Sequence, residues 1–149
     1  MVTKQYLDWK DIEGQVYNIA DKIYNENLPK YDTILAIARG GLIPAQMLAY
    51  ILNIKQVQML GVKSRDNDGK VDYYGGPKLA GNVLIVDDIN DSGLTFSAVS
   101  TYISLGVWYE NIDVITYAAL IKRHNTNFED GIYGTIAKNE HWYFFPWDK

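Results

Sequence analysis

The sequence contains no cysteine, which excludes disulfide staples, thiolate nucleophiles and cysteine-ligated zinc or iron–sulfur centres together. Only two histidines occur, His124 and His141, too few for a histidine-based metal site. No apolar run approaches the roughly 18–20 residues that a helix needs to cross a bilayer. The opening stretch MVTKQYLDWKDIEGQ lacks the apolar core of a secretory signal and is patterned as a helix. An excess of positive charge is missing too. Fourteen Lys and Arg stand against 18 Asp and Glu, a net charge of −4, so no basic field is available to grip a nucleic-acid backbone. The expectation is a cytoplasmic protein that engages neither membrane nor nucleic acid and holds any polyanion by local contacts.

What is present suits one domain spanning residues 1–149. Hydrophobic residues make up 48% and charged residues 21% of the chain, ordinary values for a globular protein of this size. From Asp8, apolar residues recur at Ile12, Val16, Ile19, Ala20 and Ile23, a helical spacing that predicts a helix to about Asn25 with Asp8 as its cap. Thr33 to Ala38, Val57 to Val62, Asn82 to Val86 and Ile112 to Leu120 read as strands, the first and third continuously apolar as in a buried parallel sheet. Helices are expected from Pro44 to Leu52 and from Leu94 to Leu105, the latter closed by Gly106. Residues 63–77, KSRDNDGKVDYYGGP, are polar and rich in Gly and Asp, which predicts a mobile flap. Alternating strands and helices give an α/β fold with a central, mostly parallel sheet flanked by helices. Ligands of such sheets bind beyond the carboxyl ends of the strands. Ala38 to Gly41, the flap, Asp87 to Gly93 and the segment from Lys122 onward should therefore converge on one cleft.

The most informative string is VLIVDDINDSGLT, Val83 to Thr95. Four apolar residues bury a strand, and Asp87 and Asp88 then arrive together, where two adjacent carboxylates repel each other and gain nothing by packing. A ribose diol or a hydrated Mg²⁺ would satisfy them. Asp91, Ser92, Gly93, Leu94 and Thr95 follow as a turn into a helix, bringing backbone N–H groups and two hydroxyls to the positive end of a helix dipole, where a phosphate fits. Carboxylates for a diol beside an amide cradle describe a ribose 5-phosphate site.

This string resembles the phosphoribosyl-pyrophosphate (PRPP) signature of type I phosphoribosyltransferases, departing from it only at Asn90, where the family usually has an apolar residue. The resemblance implies reversible transfer of ribose 5-phosphate from PRPP to a nitrogenous base, with Mg²⁺ as cofactor and release of pyrophosphate. IARGGLIP, Ile37 to Pro44, looks like the family's pyrophosphate loop, and implies that Ala38, Arg39, Gly40 and Gly41 hold the diphosphate. Trp9, ARGGLIP and the late WYFFPWD, Trp142 to Asp148, are most similar to bacterial xanthine–guanine phosphoribosyltransferases.

That likeness implies a carboxyl-terminal hood over the base, about residues 122–149, in which Trp142 stacks on a purine, Tyr143 offers its backbone to the ring edge and Lys122 donates to O6. It further implies that Asp91 accepts the purine N7 proton, that Arg39 steadies the departing pyrophosphate, and that Asp88 helps to hold Mg²⁺. Ser64 and Arg65 stand where the flap usually carries Ser-Tyr, so closure over pyrophosphate would use a guanidinium. The hood residue two after the stacking aromatic, usually acidic, is Phe144, which leaves guanine, xanthine and hypoxanthine open as acceptors. Expected partners are PRPP, a purine base, a nucleoside monophosphate, pyrophosphate and further copies of the chain as a dimer or tetramer. Two other readings remain: transfer to a pyrimidine or another base, and a non-catalytic nucleotide-sensing regulator of the same fold.

Overall fold

The computed structural model describes residues 2–63, 70–72, 79–105, 109–138 and 141–148. Its elements run β1 (Thr3–Tyr6), α1 (Trp9–Asn25), β2 (Thr33–Ala38), α2 (Leu42–Ile51), β3 (Gln56–Lys63), β4 (Lys70–Asp72), β5 (Leu79–Asn90), α3 (Leu94–Ser104), β6 (Tyr109–Arg123), β7 (Ile132–Ala137) and β8 (His141–Phe144). Six strands form one sheet in the order β4-β3-β2-β5-β6-β7. All its neighbours are parallel except β3 and β4. The sheet is thus mostly parallel and helix-flanked, as the alternation of elements predicts.

The period of two in the strands sorts the core onto two faces. Ile34, Ala36, Leu84 and Val86 face α1 and α2 through Ile12, Val16, Ile19, Ala45 and Leu48. Leu35, Ile37, Val83 and Ile85 face α3 through Phe96, Val99 and Ile103. Ile12, Val16 and Ile19 are fully buried, and each such side chain stabilises the fold by about 1.5–3 kcal/mol. Asp8 caps α1 as expected. Its side chain accepts from Asp11 N at 2.8 Å while the Asp11 carboxylate accepts from Asp8 N at 2.9 Å, a reciprocal pair that satisfies two otherwise orphaned donors.

Three boundaries differ from the sequence reading. The expected strand Asn82 to Val86 continues to Asn90, because β6 follows β5 as far as Asn90↔Lys122 whereas β2 pairs with it only to Ala36↔Val86. Asp87 and Asp88 therefore lie inside a strand that has lost its neighbour on one flank. Lys122, expected just past a strand, lies within β6 for the same reason of extended pairing. The amino-terminal residues Thr3–Tyr6, expected to begin a helix, are a strand, parallel to β8 in a separate two-stranded sheet. Within the expected flap, Lys70–Asp72 form β4 against β3. Ser64, Arg65 and Gly106 lie outside the described residues.

Candidate active site

From β2 the chain passes through α2 to β3 on one side, and β5 then docks on the other side of β2. At such a reversal the loops leave in opposite directions and open a crevice. A cleft of about 440 Å³ lies there, lined by Gly40 after β2 and by Asp87 through Phe96 after and within β5. Asp87, Asp88, Asp91, Ser92, Gly93, Leu94 and Thr95 line it together, and of the Ala38 to Gly41 segment expected to join them Gly40 does so.

Two glycines make the crevice possible. A Cβ on Gly40 would stand 2.2 Å from Asp88 Oδ2, and one on Gly93 would stand 2.6 Å from Phe128 N. Gly93 also has φ +91°, a backbone state that a side chain disfavours. It forms the N-cap of α3, so the chain turns sharply enough for the first helical N–H groups to face the cleft. Ser92 Oγ accepts from Leu94 N at 3.2 Å, which fixes the hydroxyl at the same turn. Ala38 ends β2 and is joined to Arg39 by a cis peptide bond, and the Arg39 side chain is exposed.

Asp87 and Asp88 are held by their own backbone. Asp87 Oδ1 accepts from Asp88 N at 2.8 Å, and Asp88 Oδ1 accepts from Ile89 N at 2.7 Å. Burial pushes the Asp87 carboxyl well above the usual range, and the charge of Asp88 adds to it. Burial also raises Asp88, with the carboxylate of Asp148 in the carboxyl-terminal tail contributing in the same direction. Two buried, mutually repelling carboxyls in a polar crevice suit diol hydroxyls or a hard cation.

Asn90, where the sequence departs from the family signature, is a buried hub. Its Nδ2 donates to Phe128 O and to Tyr133 Oη, both at 2.8 Å, and its Oδ1 accepts from Thr126 Oγ1 at 2.8 Å. Tyr133 Oη in turn donates to Asp130 O, and burial pushes the Tyr133 phenol up to about 12. Asn127 N donates to Ser92 O at 3.0 Å. The segment 126–130 is thereby clamped onto the Ser92 to Leu94 turn.

The residues expected at the base end, Lys122, Trp142 and Tyr143, do not line this cleft. Lys122 pairs with Glu129, and its ammonium lies 5.7 Å from the centre of the Tyr133 ring; it does not line the cleft. The neighbouring residue, Arg123, which the sequence reading passed over, is the one beside Asp91. Its Nε donates to Asp91 Oδ1 at 3.0 Å, and its guanidinium lies 5.5 Å from the Tyr143 ring centre. Adjacent strand residues project to opposite faces, and that alternation was the available signal. Trp142 is 54% exposed, neither packed in the core nor lining the cleft, whereas Phe145 is buried and stacks on Trp147 at 5.0 Å.

A model of the phosphoribosyl transferase domain family matches residues 2–148. The chain belongs to that family. A xanthine–guanine phosphoribosyltransferase of Chromohalobacter salexigens is 30% identical over 145 residues, covering 95% of this chain and 82% of that protein. A purine phosphoribosyltransferase of Pyrococcus horikoshii superposes with TM-score 0.78 at 29% identity, covering 99% of this chain and 95% of the other. A Neisseria gonorrhoeae protein whose crystal structure holds bound ppGpp superposes with TM-score 0.79 at 28% identity, covering 100% and 91%. As a phosphoribosyltransferase, the chain has the string from Asp87 to Thr95 lining this crevice.

Proposed function

We propose that this phosphoribosyltransferase moves ribose 5-phosphate from PRPP to a 6-oxopurine, releasing pyrophosphate. The observation that carries the reading is the single crevice that joins the Asp87–Asp88 pair, Asp91 and the Ser92 to Thr95 turn. In it, the turn at the start of α3 holds the 5-phosphate, and Asp87 and Asp88 take the ribose hydroxyls. Ala38 to Gly41 would hold the diphosphate, with Arg39 adding its charge; Ser64 and Arg65 belong to the same proposal. In the reaction the anomeric carbon loses its bond to the pyrophosphate oxygen and gains one to purine N9. The N7 proton passes to Asp91. No covalent enzyme intermediate is required, so rate comes from positioning and electrostatics. The exposed face of Trp142 is available for stacking on the base, with Tyr143 beside it.

Mg²⁺ fits the donor set. Each carboxylate of the Asp87–Asp88 pair spends one oxygen on a backbone N–H, and the buried pair repels its own charge, which a hard cation would relieve. Among the described residues no three His, Asp or Glu side chains gather, so such an ion keeps waters and substrate oxygens, with Asp88 as the protein's contribution. When bound, it neutralises the pyrophosphate leaving group.

The likeness to the ppGpp-bound protein supports a second occupant, a guanine nucleotide whose 5′-diphosphate would sit at the Ser92 to Thr95 turn and compete with PRPP. Among the described residues no helix is long and apolar enough to cross a membrane, and a cytoplasmic location and a homo-oligomer belong to the same proposal.

The test is steady-state formation of nucleoside monophosphate from PRPP and Mg²⁺ with guanine, xanthine or hypoxanthine. Turnover is expected, with Asp91→Ala lowering kcat by about 100-fold or more. If no purine reacts and Asp91→Ala changes nothing, the assignment fails; turnover of uracil or orotate alone would move it to pyrimidines.

A further inference from the structure

We propose that Tyr6, in β1, is a positioning residue for the acceptor base: by stacking on Phe144 it fixes the angle at which β8 presents Trp142. The proposal rests on the purine reading above and deepens it, adding a residue that touches neither substrate. In the paired strands the register is Lys4↔Trp142, Gln5↔Tyr143 and Tyr6↔Phe144. Successive side chains leave a strand on opposite faces, so the ribbon has two unlike sides. Tyr143 turns inward and packs on the core, as does Leu7 just beyond β1. Lys4, Tyr6, Trp142 and Phe144 share the outer side, and none of its three aromatic residues belongs to a core cluster.

On that outer side the Tyr6 and Phe144 rings lie 4.9 Å apart and 13° from parallel, an offset stack, with Lys4 Nζ 6.0 Å from the Phe144 ring centre. Tyr6 is 70% exposed, so its ring contributes little to the core; what it touches is the strand that carries Trp142. Because Trp142 also stands off the core, its direction is set by its strand. Phe144 follows two residues later, about 7 Å along the same face, so a tilt of β8 swings both rings together. Ladder hydrogen bonds set the spacing of two strands but leave a two-stranded ribbon free to twist strongly, and a cross-strand pair of side chains resists that twist on its own face. The Tyr6–Phe144 stack is that pair here, and it lies on the face from which Trp142 projects.

The experiment measures KM for hypoxanthine and KM for PRPP in the unmodified chain, Tyr6→Ala, Tyr6→Phe, Phe144→Ala and the double variant Tyr6→Ala/Phe144→Ala, with thermal melting as a check on folding. Tyr24→Ala, at a comparably exposed tyrosine near the other end of α1, is the control. An aromatic pair of this kind is worth about 2–12-fold in an equilibrium, so Tyr6→Ala is expected to raise KM for hypoxanthine about 2–12-fold and leave KM for PRPP within about 1.5-fold. Tyr6→Phe, which keeps the ring, should restore the parental values, and Tyr24→Ala should match the parent. Phe144→Ala should reproduce the effect of Tyr6→Ala and carries the test if that variant does not fold. The double variant should be no worse than the worse single one, since either change alone already removes the stack. An unchanged KM for hypoxanthine in both single variants overturns the inference. So does a rise of both KM values together with a fall in melting temperature, the mark of a merely structural role, or effects that multiply in the double variant. If the unmodified chain turns over no purine, it is the proposed function that has failed, and this inference falls with it.

Discussion

Replacing Asn90 with leucine, an apolar residue of the kind the family signature usually carries at that place, should damage this protein, and the size of the damage follows from three bonds. Asn90 is 3% exposed and bonds to Phe128 O, Tyr133 Oη and Thr126 Oγ1, each at 2.8 Å. A buried hydrogen bond contributes about 1 kcal/mol net, and a partner stranded without one costs about 1–3 kcal/mol. Asn90→Leu is therefore expected to destabilise by about 3–5 kcal/mol. In a chain of this length each kcal/mol moves the melting temperature by about 2–4 °C, which predicts a fall of about 6–20 °C. The harm should reach the site. Thr126 Oγ1 and Phe128 N are the atoms that crowd Gly93, and Asn127 N holds Ser92 O, so loosening this segment loosens the phosphate-facing turn and raises KM for PRPP. Calorimetric melting and steady-state kinetics read both effects. Adding Thr126→Val to the leucine variant should recover part of the stability, since the Thr126 hydroxyl has lost its acceptor, Asn90 Oδ1. A variant that melts within about 2 °C of the parent with an unchanged KM for PRPP would refute the reasoning.

Two further outcomes follow from the crevice. The folded-state pKa of Asp87 is raised above its unfolded value, chiefly by burial, so its contribution to stability is full below about pH 4 and is lost as pH rises through the raised pKa. Asp87→Asn should then melt higher than the parent without substrate, by a margin that grows between pH 4.5 and 8, while binding PRPP more weakly; melting curves across that range check the sign. Gly93→Ala forces a side chain into φ +91° and against Phe128 N, at about 1–3 kcal/mol of backbone strain, and should raise KM for PRPP at least about 10-fold in the same assay.

Local patterning carried most of the fold. The spacing of Ile12, Val16, Ile19 and Ile23 marked α1, and the continuous apolar runs marked β2 and the middle of β5, because burial leaves its signature where each residue stands. Elements created by distant pairing left no such mark. Thr3–Tyr6 is polar and largely exposed and becomes a strand only through β8. Ile132–Ala137 carries Gly134 at its centre, which reads as a break although β6 pairs along it. At the site, the string from Asp87 to Thr95 was legible because phosphate and diol chemistry demands particular residues in sequence. The pairing of Lys122 with Glu129 and of Arg123 with Asp91 was not, since it depends on which face of β6 each side chain leaves by.

The separate pairing of β1 with β8 divides the molecule by local stability. The crevice for the sugar phosphate is built on the six-stranded sheet, whose strands are buried between helices, whereas His141–Phe144 hang on a ribbon of two short strands. Two strands alone are marginal in water, so the ribbon belongs to the end of the stability spectrum that opens by local unfolding while the rest stays folded. The ribbon and the six-stranded sheet thus differ in local stability, joined through Leu7, Tyr143, Phe145 and Trp147 on the core. If His141–Phe144 cover the base as proposed, release of a nucleotide needs only these two short strands to fray, with the larger sheet left undisturbed.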